Sequence, residues 1–284
     1  MASIACAPSA TATEDEQAMM LSRLQVFPVK SLAGHQPRAW DVGARGLAHD
    51  RHWMVVRPDG HFLTQRQVAV MGHVGTRLDA GRLTLTRDGQ ADLPVPDSAA
   101  HRVPVTVWRD TLEAEDLGDD CAHWLEQAIG QPCRLVRFPS DVRRSVDPDF
   151  ARADDHTGFA DAFPLLLVSE ASLLDLNERM PDDDWSLDTL ILRFRPNLVI
   201  RGCAPYAEDA WHTIRIGGMD FRVVKPCSRC AITTLDPVSG AKGREPLKTL
   251  STYRRENGEV YMGQNVLHNS PGRLEVGMDV EIID

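Results

Sequence analysis

Apolar residues in the first half of this chain come in short blocks, each closed by a turn signal. Leu24-Gln25-Val26-Phe27-Pro28-Val29 reads as a strand, and so does Trp53-Met54-Val55-Val56. Pro58-Asp59-Gly60 and His61-Phe62-Leu63-Thr64 follow the second, which is the pattern of a turn between paired strands. Alternating apolar and polar positions recur at 82–86 and 103–108, as expected where successive side chains face opposite sides of a sheet. The period changes at 119–129. There Cys121, Trp124, Leu125 and Ala128 share one helical face, and Gly130 stops the helix. Leu135-Val136-Arg137-Phe138 returns to strand.

The stretch 139–156 is polar, with Arg143, Arg144, Asp147, Pro148, Asp149, Asp154 and Asp155, and reads as a long solvated loop between two halves. Pro164-Leu165-Leu166-Leu167-Val168 is continuously apolar and predicts a buried strand; Ser169 then caps a helix over 171–180. The run 193–200 reads as another strand ending at Gly202. Thr213-Ile214-Arg215-Ile216 turns at Gly217-Gly218 into a second strand, a hairpin that delivers the chain to Cys227. Short apolar blocks at 260–262, 265–267, 274–276 and 280–283 complete the pattern, with no internal repeat. A predominantly β, barrel-like α+β protein with a few helices follows.

Composition narrows the class. With 284 residues, 43% hydrophobic and 25% charged, the chain can bury a large core as a globular protein. A net charge of −10 argues against nucleic acid or an anionic membrane surface as the main partner. No apolar run approaches the ~20 residues that span a bilayer. The first twenty residues are Ala/Ser/Thr-rich and carry Glu14, Asp15 and Glu16. They lack the basic and apolar regions of a secretory signal and read as a disordered tail, with Met19 or Met20 as alternative starts. Six cysteines without a paired framework point to a reducing cytoplasm.

The chemistry concentrates at Lys225-Pro226-Cys227-Ser228-Arg229-Cys230. A thiolate is the form of cysteine that binds metals or attacks electrophiles, and neighbouring cationic charge favours it. A structural zinc site would need a second Cys-x-x-Cys pair or two histidines, and neither follows. A thioredoxin-type dithiol would open a helix, whereas Ile232-Thr233-Thr234-Leu235 is β-branched and stops at Asp236-Pro237. Two readings stay open. One is a buried thiol beside an incidental one; the other is a single thiolate on a soft transition metal whose remaining ligands come from a cofactor.

Several longer motifs accompany the cysteines in order. They are Pro28-Val29-Lys30-Ser31, Gly46-Leu47-Ala48-His49-Asp50-Arg51-His52-Trp53, Ser169-Glu170-Ala171-Ser172, Arg195-Pro196-Asn197, Tyr206-Ala207-Glu208-Asp209-Ala210-Trp211 and 227–237. Together, over 24–283, they resemble the MOSC family, with the nearest resemblance to the mitochondrial amidoxime-reducing proteins and their bacterial relatives. The resemblance implies a MOSC N-terminal β-barrel domain at 21–138 and a MOSC domain carrying the cofactor cysteine at 139–284. It also implies a molybdenum cofactor (Mo-molybdopterin) and reduction of N-hydroxylated compounds. The second cysteine of the pair, Cys230, matches the family's catalytic, metal-binding thiol, and Cys203 is expected to be structural or to support the residues that hold the cofactor. Lys30, Ser31, Arg51, Arg195 and Asn197 match positions that hold the cofactor, with Asn197 expected on the same side of a strand as Arg195. Ser228 and Arg229 between the thiols, Asn265, and Ala162 with Phe163 complete the set; relatives carry small hydroxyl residues at those last two positions, so contact there is expected from the backbone. A plant-type [2Fe–2S] spacing is absent before Asp284, so the resemblance implies a separate electron donor, a ferredoxin-type or b-type cytochrome protein with its reductase. A cofactor or sulfur carrier without reductase activity is the alternative.

Overall fold

The computed structural model describes residues 18–181 and 185–283. Most of the expected N-terminal tail, residues 1–17 with Cys6, lies outside the described residues.

An eight-stranded sheet forms the larger unit. Its order is Met20–Leu24, Leu198–Arg201, Leu165–Ser169, Glu259–His268, Met219–Ser228, Thr213–Ile216 and Val280–Ile282, with Arg255–Glu256 hung on Glu259–His268. The sheet curls until its ends nearly meet. Val280 donates its N–H to Met19 O at 2.9 Å, and Leu21 donates to Met278 O at 2.8 Å. Leu21, Leu24, Leu165, Leu167, Leu198, Ile200, Ile214, Ile216, Phe221 and Val266 fill the interior. Each such side chain contributes roughly 1.5–3 kcal/mol by leaving water. The strand nearest the N-terminus is thus built into a barrel otherwise made from the second half.

A five-stranded sheet runs Val29–Lys30, Trp53–Val56, Arg134–Arg137, Asp110–Asp116, His101–Val107. The helix Asp119–Ile129 packs Cys121, Trp124, Leu125 and Ala128 against it, as its periodicity predicts. Ser169 caps the helix Glu170–Arg179, its side chain accepting from Ser172 N. The Gly217-Gly218 turn, with φ of 54° and 85°, joins two strands in an arrangement that side chains with a Cβ rarely adopt.

Four expectations are corrected. The run 193–200 is not one strand: Leu187–Phe194 is a helix capped by Ser186, and the strand begins only at Leu198. Leu187, Leu190, Ile191 and Phe194 fall at helical spacing, and that signal outweighs the β-branched residues beyond them. The run 24–29 is divided between Met20–Leu24 and Val29–Lys30, since Pro28 interrupts the ladder. The blocks at 260–262 and 265–267 are one strand, Glu259–His268, bent at Gly263. The polar loop after 138 is pinned rather than free. Buried Arg144 donates to Gly158 O (2.9 Å), Ala160 O (2.6 Å) and Asp161 O (3.1 Å), and pairs with Asp110.

Candidate functional site

Strand Met219–Ser228 loses its regular ladder as it nears the thiols. Its register against Glu259–His268 shifts twice, between Val223 and Lys225 and between Pro226 and Ser228. Pro226 has no N–H to give, which explains the second break. The chain then leaves the sheet, and Cys230 stands at the head of a 3-10 turn, Ala231–Thr234. Its carbonyl accepts from Thr233 N at 3.2 Å and Thr233 Oγ1 at 3.1 Å. The β-branched run therefore forms a turn and not a strand, because its threonines bond back to the preceding backbone. Buried Arg193 fixes that turn to the preceding helix by donating to Thr233 O and Leu235 O and pairing with Asp236.

Each thiol meets its own guanidinium. Arg66 Nη1 lies 3.5 Å from Cys230 Sγ, and Arg229 Nη1 lies 3.0 Å from Cys227 Sγ. Arg229 also donates to Phe194 O at 2.6 Å, beside Arg195. Both sulfurs are half-buried. Burial pushes the Cys121, Cys133 and Cys203 thiols up to about 11, which suits inert packing residues.

Arg51 and Arg195 come together around Phe27, and Lys30 lies near enough for its charge to interact with Arg51. The Arg51 and Arg195 guanidiniums sit 4.4 and 4.0 Å from its ring centre. Arg51 pairs with Asp50 at 2.6 Å and donates to Arg195 O at 3.2 Å. Arg195 donates to Leu32 O at 2.7 Å and has no carboxylate partner among the described residues. Burial, and then the Arg51 charge, push its guanidinium down to about 9, so it stays protonated at neutral pH. Lys30 is buried, donates to Phe159 O at 2.8 Å and pairs with Asp161. Burial lowers the Lys30 ammonium more than Asp161 restores it.

Backbone strain marks the same place. Eight described non-glycine residues have positive φ, and four of them lie in this cluster: Ser31 at 66°, Arg51 at 45°, Trp108 at 56° and Arg195 at 54°. Left-handed conformations at bulky residues are unfavourable and persist where surrounding structure imposes them, commonly at functional sites.

Other expected residues take different places. Asn197 is buried between strands, and its side chain is consumed by backbone: Oδ1 accepts from Leu166 N at 3.1 Å, and Nδ2 donates to Gln25 O at 3.1 Å. It does not share a strand with Arg195, which ends the helix, so their expected common facing has no basis. Asn197→Ala should lose about 2–3 kcal/mol of stability by leaving buried backbone groups unpaired; a denaturant titration of cofactor-free protein measures it. Ser228 is exposed at the strand end, and Asn265 donates to Lys225 O at 3.2 Å, both beside the cysteine segment. Ala162 is exposed in the bend after Asp161, whereas Phe163 is buried against Phe150. Glu208 accepts from Ser169 N and Ser172 Oγ, and Asp209 from Arg254 and Gln264, so both act as braces. His52 lines a separate cleft of about 250 Å³ with His49 and Trp53; burial, then Arg45, push it down to about 3, so its imidazole is uncharged at neutral pH.

Sequence reasoning missed Arg66 and Trp108. Arg66 joins the two poles: besides touching Cys230, its guanidinium stacks 4.6 Å from the Trp108 ring centre. Trp108 Nε1 donates to Asp161 at 3.2 Å, the same oxygen that Lys30 holds. The available signal was Thr64-Gln65-Arg66-Gln67 after a strand-like block, since Gln65 also donates to Ser31 O at 2.8 Å.

The Asp161–Lys30 pair makes stability depend on acid. Burial works against it, but the Lys30 charge holds the Asp161 carboxyl well below the usual carboxylate range. A carboxyl depressed by folding adds stability above its unfolded value of about 3.9 and loses it as pH falls through the folded one. Below about pH 4, wild type should therefore lose stability more steeply than Asp161→Asn, which denaturant midpoints across that range would report. Asp161 is 55% exposed, so the difference should be modest.

Of the five cations meeting here, Lys30, Arg51, Arg66, Arg195 and Arg229, only Lys30 and Arg51 have a carboxylate partner among the described residues. This is a local positive excess in a chain of net charge −10. Among the described residues no three His, Cys, Asp or Glu side chains converge as a metal cage. A metal on Cys230 would therefore take its other ligands from a bound group.

Two family models match the chain. The MOSC N-terminal beta barrel domain covers residues 18–132, and the MOSC domain covers 154–281. Mitochondrial amidoxime-reducing component 1 of Homo sapiens is 33% identical, over 94% of this chain and 84% of its own length. The chain belongs to the MOSC family. The Danio rerio protein of the same name is 33% identical, over 92% of this chain and 84% of its own. Molybdenum cofactor sulfurase of Oryza sativa subsp. japonica is 35% identical over 86% of this chain, which spans about a third (32%) of that longer relative. The β-rich α+β architecture agrees with the MOSC assignment, and no helix among the described residues is long and apolar enough to cross a membrane.

Proposed function

We propose that this MOSC chain is a molybdenum-cofactor-dependent reductase that breaks the N–O bond of N-hydroxylated compounds. The observation that carries the reading is a half-buried sulfur, Cys230, joined through Arg66 to a cation cluster with more positive charge than its carboxylates balance. The residues present fit a molybdopterin. A soft thiolate suits molybdenum, and an anionic phosphate end suits a cluster of guanidinium and ammonium groups whose charge its carboxylates only partly balance.

Cys230 would hold the metal and Lys30, Arg51 and Arg195 the phosphate end, with Ser31, Ser228 and Arg229 between. The cofactor, when bound, supplies two-electron oxygen-atom chemistry. The protein's own part is positioning. The Thr233 bonds to the Cys230 carbonyl fix the direction of the thiol, and the Arg193 anchor holds the turn that carries it. Phe27 holds the Arg51 and Arg195 guanidiniums against its ring, and Arg66 supplies fixed positive charge beside the sulfur. Electrons would arrive from a separate ferredoxin-type or b-type cytochrome partner with its reductase.

The amidoxime-reducing relatives support this reading, and the sulfurase relative supports a carrier that holds cofactor or sulfur without reducing substrate. One experiment separates them. Protein produced with cofactor available is assayed for molybdenum, for the fluorescence of its oxidised pterin, and for reduction of benzamidoxime by an artificial reductant. Bound cofactor with turnover supports the reductase; bound cofactor without turnover supports the carrier; neither cofactor nor turnover removes both.

A further inference from the structure

The geometry points to Trp108 as an aromatic platform that selects planar, conjugated substrates at this site. It deepens the reductase reading and rests on it for the class of ligand.

Trp108 stands at the tip of the hairpin between His101–Val107 and Asp110–Asp116. A two-residue hairpin turn calls for Gly, Asn or Asp where φ is positive, yet here a tryptophan holds φ at 56°. It is the only one of the cluster's four strained residues that no expected cofactor role explains. The indole does not earn its place by burial, since Trp108 is 45% exposed. It is nonetheless held firmly. Nε1 donates to Asp161 at 3.2 Å, Phe62 leans on the ring at 5.2 Å, and the Arg66 guanidinium stacks at 4.6 Å. The same guanidinium touches Cys230 Sγ. A firmly held, wet indole is therefore fixed one guanidinium away from the Cys230 sulfur, with its N–H already taken and the ring surface left open by Phe62 and Arg66 as what remains to offer.

Such a surface recognises a flat π system by stacking and carries little hydrogen-bond information. Benzamidoxime and N-hydroxylated purines offer that face; acetamidoxime and hydroxylamine present the same N–O bond without it. Trp108 thus sets substrate preference by the group attached to the reacting nitrogen centre.

The test is direct binding to the purified, cofactor-loaded protein before any reductant is added. Benzamidoxime and acetamidoxime are titrated against wild type, Trp108→Gly and Trp108→Phe by calorimetry. Glycine accepts φ of 56° without strain, so this variant should fold and keep its thermal midpoint. Trp108→Gly should bind benzamidoxime about tenfold more weakly, bind acetamidoxime as wild type does, and keep its molybdenum; Trp108→Phe should recover most of the loss. Equal losses for both ligands, no loss for either, or no binding of benzamidoxime to wild type would overturn the platform. Trp108-dependent binding without subsequent turnover would leave the platform standing and remove the reductase reading. Turnover identical in wild type and Trp108→Gly would do the reverse.

Discussion

Cys230→Ser should abolish benzamidoxime reduction, lowering kcat by at least about a hundredfold, while the protein keeps its fold. The sulfur is half-buried, at the head of a turn whose bonds run through the Cys230 carbonyl and not its side chain. Replacing sulfur by a hydroxyl thus changes the ligand and spares the scaffold. A serine oxygen is harder and less polarisable, and it matches molybdenum held by a dithiolene poorly. Cys227→Ser is the control: its sulfur faces Arg229, not Arg66, and its loss should leave most activity. Metal analysis, circular dichroism and steady-state kinetics on both variants decide the matter. Full activity with bound molybdenum in Cys230→Ser would remove this thiol from the chemistry.

Arg195→Gln should weaken cofactor retention by about 10- to 100-fold, the worth of a charge-assisted bond to phosphate. The cofactor-free protein should be no less stable for the change. Arg195 carries a charge that burial and Arg51 oppose more strongly than Asp50 and Asp161 favour it, and no described carboxylate pairs with it directly. Removing that charge relieves a penalty in the empty protein and removes an attraction in the loaded one. Opposite signs in the two measurements, thermal midpoint without cofactor and pterin content after dialysis, would identify a residue kept for an anion. A parallel fall in both would make Arg195 an ordinary packing residue.

The sequence exposed the parts of this molecule that local chemistry controls. The helix Asp119–Ile129, the Ser169 cap and the Gly217-Gly218 hairpin were legible because period, cap and turn act over a few residues. The helix Leu187–Phe194 was obscured by the β-branched run following it, and the pinned loop after 138 by its polarity. Nothing local announces that Arg144 will be buried under three carbonyls. At the site, Lys30, Arg51, Arg195 and Cys230 were found through a family resemblance; the two arginines flank Phe27, Lys30 meets Asp161, and Cys230 meets Arg66. Asn197 matched the same pattern, yet its amide is consumed by the backbone of Leu166 and Gln25. Arg66 and Trp108 went unseen because their partners are distant in sequence: the Arg66–Cys230 contact spans 164 residues and the Trp108–Asp161 contact 53.

The seam where Met19 to Leu21 meets 278–280 carries a consequence for biosynthesis. The strand Met20–Leu24 must wait, unpaired on one side, until residues 278–280, more than 250 positions later, have been made. Such remote pairing slows maturation and leaves an apolar edge open to misassociation in the interval. Deleting residues 278–283 should therefore lower the yield of foldable protein, which soluble expression beside the full chain would measure.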